Sequence, residues 1–515
     1  MPDEPIPAIG IDLGTTFSVI CKLDETGLPI TLTNAEGERL TPSAVLFDRD
    51  EVVVGREAIR AMAGEAEHVA TCAKRDVGHR FYHKAIDGKQ YPPEVVEAWV
   101  LNKIRLDIAA QIGPFTKAVI TVPAYFDEIR RKATQDSGYM AGLEVMDILN
   151  EPTAAALAFG FQQGFLRRDG TAPQSQRILV YDLGGGTFDV TVMEIQGKHY
   201  NALATDGDVQ LGGYDWDQRL VDLVAEAFIR EHLLDPRDDP RMAGKLWREC
   251  EEAKRTLSAR AKATVVCDFR GRSAEIELSR EQFEEATKDL LDRTRFTTEQ
   301  TVRAAGLEWR DISRVLLVGG STRMPMVRQM LRQLSGKEPD ASVAADEAVA
   351  QGAAIHAGWL LARDQGRPPA FHIRNVNSHS LGVVGIEPLT GRRRSGILIP
   401  RNTPLPAAAE RIFCTHRADQ RSILVEVVEG ESPSPDDCTQ IGRCAIRNLP
   451  PGLPAKSPVG VLFHYEANGR LHVKVTVPET RAAVENEFFR ENSLSKEHLD
   501  GWRRRISGAE PTEYR

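Results

Sequence analysis

Two short phrases, about 170 residues apart, constrain this 515-residue chain more than anything else in it: GIDLGTT at 10–16 and YDLGGGTFDV at 181–190. Each follows an apolar run that reads as a strand. Each strand ends on an aspartate, Asp12 or Asp182, and runs on into glycine and threonine. Backbone N–H groups can close on a phosphate chain only where no Cβ intrudes, so such loops demand glycine, and a threonine hydroxyl adds a donor. An aspartate beside a phosphate is repelled unless a cation lies between them. Asp12 and Asp182 therefore point to Mg²⁺ held mostly through water. One such phrase is an ordinary strand-end turn, but two in register describe a nucleotide held between two lobes. No GxxxxGK[ST] phrase occurs, which excludes a P-loop site.

From residue 8 to about 362 short apolar runs alternate with longer amphipathic stretches. The strands read as ending in glycine loops that open into helices, the pattern of an α/β fold. Residues 362–375, ARDQGRPPAFHIRN, read as a linker. Beyond it SILVEVVEG (422–430) and GRLHVKVTV (469–477) alternate with period two, so an all-β unit is expected, with one helical piece at 495–506. The expected division is an ATPase domain over 1–364, a linker over 365–377, a β-sandwich over 378–482 and a C-terminal segment over 483–515.

Charge and cysteines narrow the class. The net charge is −9, split as roughly −13 before residue 365 and +4 after it, which speaks against a generic nucleic-acid binder. None of the seven cysteines forms a CxxC, so a reducing compartment fits better than a disulfide framework. The N-terminus lacks the pattern of a signal peptide and no stretch reaches 18 apolar residues, so the expected location is cytoplasmic, with no membrane partner. His79 and His83 are spaced i, i+4 but lack an evident third ligand. The run Arg392, Arg393, Arg394 reads as a solvated face.

Two further motifs complete the nucleotide site. VGGSTRMP (318–325) is a third glycine turn. A helix beginning near residue 245 places Glu251, Lys254, Arg255 and Ser258 on one face. Together with AKRDVGHRF (73–81), AVITVPAYF (118–126), LNEPTAAALAFG (149–160), GDVQLGGYDWD (207–217), EAKRTLS (252–258) and DEAVAQGAA (346–354), these phrases make the sequence resemble the heat-shock 70-kDa chaperones of the DnaK type, on the actin and sugar-kinase ATPase fold. The resemblance covers the first two thirds almost continuously.

That resemblance implies an ATPase binding ATP or ADP, Mg²⁺ and K⁺. Lys74 would hold the γ-phosphate and the attacking water, Glu151 and Asp182 would orient the waters of Mg²⁺ with Asp189 nearby, and Asp12 would serve the metal and flanking K⁺. Gly14, Thr15, Thr16 and Thr187 would line the phosphates, and Gly184, Gly185 and Gly186 would wrap them. Glu251, Lys254, Arg255 and Ser258 would clasp adenosine with Gly319, Gly320, Ser321, Arg323 and Asp346. Pro123 and Arg131 match the family's relay between nucleotide and peptide. The β unit resembles the peptide-binding sandwich, with Val383, Phe413, Ile423 and Val425 at pocket positions. Pocket and core are chemically alike there, so only the alignment favours a pocket.

Four departures from the family shape the expectations. Only the first helix of the family's helical lid has a counterpart, so bound peptide should leave quickly. The linker, FHIRNV (371–376), carries His372, Arg374 and Asn375 where the family is leucine-rich, and should dock less well in an apolar groove. Asp147 stands where the family has an arginine that receives the J-domain co-chaperone, and Asn375 where it has a linker aspartate. The usual J-domain partner is then not used, or a specially matched one is. The stretch 259–277 is short, which predicts faster nucleotide release and less need for an exchange factor. The leading reading is an ATP-dependent chaperone for extended apolar segments of unfolded proteins. Its rival is an ATP-state-dependent interaction module for one dedicated partner.

Overall fold

The computed structural model describes residues 7–48, 51–162, 175–342, 344–368, 371–387, 389–480, 482–485 and 493–508. Pro369 and Ala370 of the expected linker lie outside them, as do 486–492 and 509–515 of the expected C-terminal segment.

Both halves of the first unit follow one chain path. In the first lobe Ile9–Asp12 pairs antiparallel with Phe17–Leu23 and parallel with Lys117–Val122, which pairs parallel with Glu144–Asn150. In the second lobe Gln176–Leu183 pairs antiparallel with Phe188–Gln196 and parallel with Arg314–Val318. The repeated phrase is the hairpin bend of each. The expectation that glycine loops open into helices holds for VGGSTRMP, which leads to the helix Pro325–Ser335. It fails for both DLG phrases, which turn back into strands. There Phe188, Val190 and Val192, and Ser18 and Ile20 in the first copy, continue a buried strand rather than a 3.6-residue period.

Between the two sheets cross two alanine-rich helices, Glu151–Gln162 and Ala348–Asp364. A Cβ on Gly352 would stand 1.8 Å from the Ala154 carbonyl oxygen, so this close crossing requires glycine. Smaller units flank the cleft: the three-stranded sheet of Ala44–Asp48, Glu51–Val54 and Val69–Thr71, and the hairpin Lys262–Phe269 with Arg272–Ser279.

The all-β unit is a sandwich of two four-stranded sheets. One is ordered Arg393–Ile399, Leu381–Ile386, Ile423–Glu429, Thr439–Ile446; the other Ala407–Cys414, Pro458–Tyr465, Leu471–Val477, Ala482–Glu485. It packs against the first unit. Arg401 pairs with Asp206 at 2.9 Å, the Thr205 N–H donates to Asn402 Oδ1 at 3.0 Å, and the Glu128 N–H donates to Glu429 Oε2 at 3.2 Å.

Here the linker departs from expectation. His372–Arg374 docks as a fifth strand, parallel to His199–Asp208, in the second lobe's sheet. Strand alternation is the reason. Phe371 is buried against Tyr200 and Trp359 and Ile373 is half-buried, while His372 and Arg374 point to solvent, where charge costs little. The helix Lys496–Ile506 packs on the first lobe: Leu499 and Ile506 join its core, and buried Asn102 Nδ2 donates to the Ile506 carbonyl at 3.0 Å.

Candidate active site

The two hairpin bends meet across the cleft. A Cβ on Gly185 would lie 2.0 Å from Thr16 Oγ1, and one on Gly186 would lie 2.5 Å from Thr15 Cγ2. The loops can therefore approach only as glycine against threonine, which leaves backbone donors facing the gap. They border a cavity of about 480 Å³.

Nearly every residue expected at the nucleotide lines this cavity: Asp12, Gly14, Thr15, Thr16, Lys74, Glu151, Asp182, Gly184, Gly185, Thr187, Glu251, Lys254, Arg255, Ser258, Gly319, Gly320, Ser321, Arg323 and Asp346. Two expected residues sit beside it instead. Asp189 is fully buried and accepts the Tyr125 N–H at 2.8 Å, and Gly186 is covered by Thr15, Arg75 and Gly212.

Charge is concentrated at the inner end. Lys74 Nζ donates to Glu151 Oε1 at 2.7 Å, with both side chains buried. Burial alone would pull the Lys74 ammonium down, but the Glu151 and Asp12 carboxylates outweigh it and hold its pKa above the ordinary value. Burial, then Glu151, pushes Asp12 up to about 7. The same two causes push Asp189 up to about 8, against its bond from the Tyr125 N–H. Asp182 is raised by burial and by Glu151, Asp189 and Asp12. Four carboxylates thus share one ammonium, and a cation among them would relieve the excess negative charge. Among the described residues no three metal-ligating side chains converge on one point. A hard cation here would keep much of its water shell, as Mg²⁺ prefers, so the donor set fits that ion.

The outer end of the cavity is framed by ion pairs and hydrogen bonds. Asp239 caps the helix Pro240–Ala259 by accepting from the Arg241 and Met242 N–H groups, so it starts five residues before the expected 245. Its Lys254 Nζ donates to Asp217 Oδ2 at 2.7 Å and to the Gly213 carbonyl at 2.9 Å. Ser321 Oγ donates to the Gly184 carbonyl at 2.8 Å, and Arg323 pairs with Asp346. Sequence reasoning missed the lining residues Phe17, Cys72, Tyr214, Asp217 and Trp247. Trp247 lies four residues before Glu251 on the same helix face, a signal that could have found it.

Arg131 lies between this site and the sandwich. It donates to Asn150 Oδ1 at 2.7 Å and to the carbonyls of Phe126 (3.1 Å) and Ala124 (3.3 Å), and it lies against Gly469 of the sandwich. Pro123 is buried at the start of that segment, and its carbonyl accepts the Phe126 N–H at 3.2 Å. In the sandwich Val383, Ile423 and Val425 are buried in one cluster with Val427 and Phe463, and Phe413 is half-buried against it. Arg411 Nη1 reaches from the Phe413 strand to the Ile397 carbonyl at 3.4 Å, spanning the edges of the two sheets. Asp147 accepts from His356 Nε2 at 2.8 Å, and Asn375 Oδ1 accepts from Thr153 Oγ1 at 3.1 Å. No described helix is long and apolar enough to cross a membrane.

Comparison with known proteins agrees with this geometry. The family described as Hsp70 protein matches residues 8–89 and 83–506. The Chaperone protein DnaK of Thermus thermophilus is 40% identical, over 98% of this chain and 85% of its own length. The protein of the same name in Deinococcus proteolyticus is 40% identical over 93% and 79%, and that of Thermotoga neapolitana 39% over 90% and 77%. With two glycine–threonine hairpins closing on a buried Lys74–Glu151 pair and these relatives along nearly its whole length, the chain belongs to the Hsp70 family.

Proposed function

We propose that the chain is an ATP-dependent chaperone that hydrolyses ATP between its lobes and binds extended apolar segments of unfolded polypeptides in its sandwich. The observation that carries the ATPase reading is the buried Lys74–Glu151 pair among Asp12, Asp182 and Asp189, beneath two facing glycine–threonine loops. Phosphoryl transfer asks a protein mainly for positioning and for compensation of negative charge. Lys74 supplies the fixed positive charge and holds the attacking water; Gly184, Gly185, Thr15, Thr16 and Thr187 hold the phosphates. Asp12, Glu151 and Asp182 would hold Mg²⁺, which when bound supplies further charge neutralisation, and Asp12 would also face K⁺. The face of Glu251, Lys254, Arg255 and Ser258 takes the adenosine, with Gly319, Gly320, Ser321, Arg323 and Asp346 opposite.

The docked linker strand and Arg131, tied to both Asn150 and the sandwich, support coupling of the two activities. Val383, Phe413, Ile423 and Val425 take the peptide when the two sheet edges part and Arg411 swings aside. The rival reading, a module for one dedicated partner, has no observation of its own. Asp147, which accepts from His356, carries a negative charge where the family has an arginine, so the usual J-domain partner is not used or a specially matched one is. A standard J-domain protein that strongly raises turnover would count against this. The hairpin turn at Arg270–Gly271 is tight and sends no long loop over the cleft, which supports ADP release without an exchange factor. The functional reading is tested by the affinity of a fluorescent apolar peptide in ATP and in ADP. Weaker binding in ATP supports it; equal affinity removes the coupling.

A further inference from the structure

Lys74 is followed by an arginine that leaves its own lobe. Arg75 ends the short turn Ala73–Arg75 in the first lobe, and its guanidinium crosses to the second. Nη1 and Nη2 donate to Asp215 Oδ2 (3.1 Å) and Oδ1 (3.0 Å), a bidentate pair, and Nη2 also donates to the Gln210 carbonyl at 3.0 Å. Gln210 Nε2 returns a bond to the Arg75 carbonyl at 2.9 Å. The guanidinium carbon lies 4.5 Å from the centre of the Tyr214 ring, which rests on Trp247 at 4.4 Å.

The receiving groups are held in place before Arg75 arrives. Asp215 sits at the third position of the helix Gly213–His232, and its carboxylate accepts the Gly212 N–H at 2.8 Å. The Tyr214 N–H donates to the Gly185 carbonyl at 2.7 Å. The stem of Arg75 lies on the phosphate loop itself: a Cβ on Gly186 would stand 2.9 Å from Arg75 Cγ. A partly buried bidentate pair backed by a ring is much stronger than an exposed ion pair, and arginine alone has the planar fork for it.

We infer that Arg75, clamped by Asp215, Gln210 and Tyr214, is a latch between the lobes that sets how long nucleotide stays in the cleft. The inference rests on the nucleotide-site reading above. Opening the cleft far enough for a nucleotide to leave breaks the contacts of Arg75 with Asp215, Gln210 and Tyr214, while entry into an already open cleft breaks none. The latch therefore acts on release and scarcely on association. Its stem against Gly186 makes Arg75 a positioning residue for the phosphate loop.

The test is stopped-flow release of a fluorescent ADP analogue from the full chain. Arg75→Met is expected to release it about 10- to 100-fold faster, with association changed less than threefold. Tyr214→Leu should accelerate release severalfold, and in combination with Arg75→Met should add less than twofold to that variant. Release at the unaltered rate from Arg75→Met, or effects of the two substitutions that simply multiply, would overturn the latch. Should Arg75→Met fail to show a cooperative melt, Tyr214→Leu decides: unaltered release from it overturns the inference. A chain that binds no ADP analogue at all would overturn the site reading, and the latch with it.

Discussion

The nucleotide cleft buries three carboxylates and an ammonium beside the half-buried Asp12, whereas the sandwich buries almost nothing but hydrocarbon between its sheets. A buried charge is tolerated only with partners, so each ionisable group in the cleft needs a particular neighbour at a particular place. A buried valine needs only a neighbour of about the right volume. The two regions therefore answer differently to substitution: the cleft loses chemistry, and the sandwich loses stability.

The largest contrast is expected at Lys74. Lys74→Ala removes the ammonium that these carboxylates share and should lower single-turnover ATP hydrolysis by about 10²- to 10³-fold, with a melting transition still present. In the sandwich Phe463 is fully buried, and Phe463→Ala should cost about 3–5 kcal/mol in urea denaturation, enough to threaten the unit, with little direct effect on hydrolysis. A rate loss from Phe463→Ala matching that from Lys74→Ala would break the comparison.

A third substitution sharpens it inside the sandwich. Phe413 is only half-buried, on a strand whose neighbours Ile412 and Cys414 are exposed. Phe413→Ala should cost about 1 kcal/mol or less of stability yet weaken binding of an apolar peptide about tenfold, measured by fluorescence anisotropy. A stability loss as large as that of Phe463→Ala, with peptide affinity unchanged, would make Phe413 core and nothing more.

The smallest effect is one of pH. Burial first, then the Asp136 and Glu97 charges, push Glu94 up from the ordinary carboxylate range to about 8. Its contribution to stability is complete below the unfolded value and is lost as pH rises through about 8. Glu94→Gln should therefore raise stability by about 1–2 kcal/mol at pH 9 and leave it nearly unchanged at pH 4. A gain that is the same at both values would contradict the assignment.

The same contrast explains how much could be read beforehand. The cleft was legible because phosphate loops need glycine where a Cβ would collide with Thr15 or Thr16, and because Asp12 ends its strand and Asp182 stands one residue before the end of its own, at equivalent places in the two hairpins. The sandwich was legible as strands but not as a site, because Val383, Ile423 and Val425 satisfy core and pocket alike. The linker misled: His372 and Arg374 read as obstacles to docking, yet the alternation of FHIR puts both on the solvent side while Phe371 and Ile373 carry the contact. Arg75 and Tyr214 went unread because their meaning lies in a contact between lobes, about 140 residues apart in the chain.

The central claim is that the cleft and the sandwich act as one machine through the docked strand His372–Arg374 and Arg131. Steady-state ATP turnover of the full chain, with and without an unfolded apolar peptide at saturating concentration, tests it most directly. The account predicts slow turnover that rises severalfold with peptide. Turnover that is measurable yet identical in both conditions would contradict it.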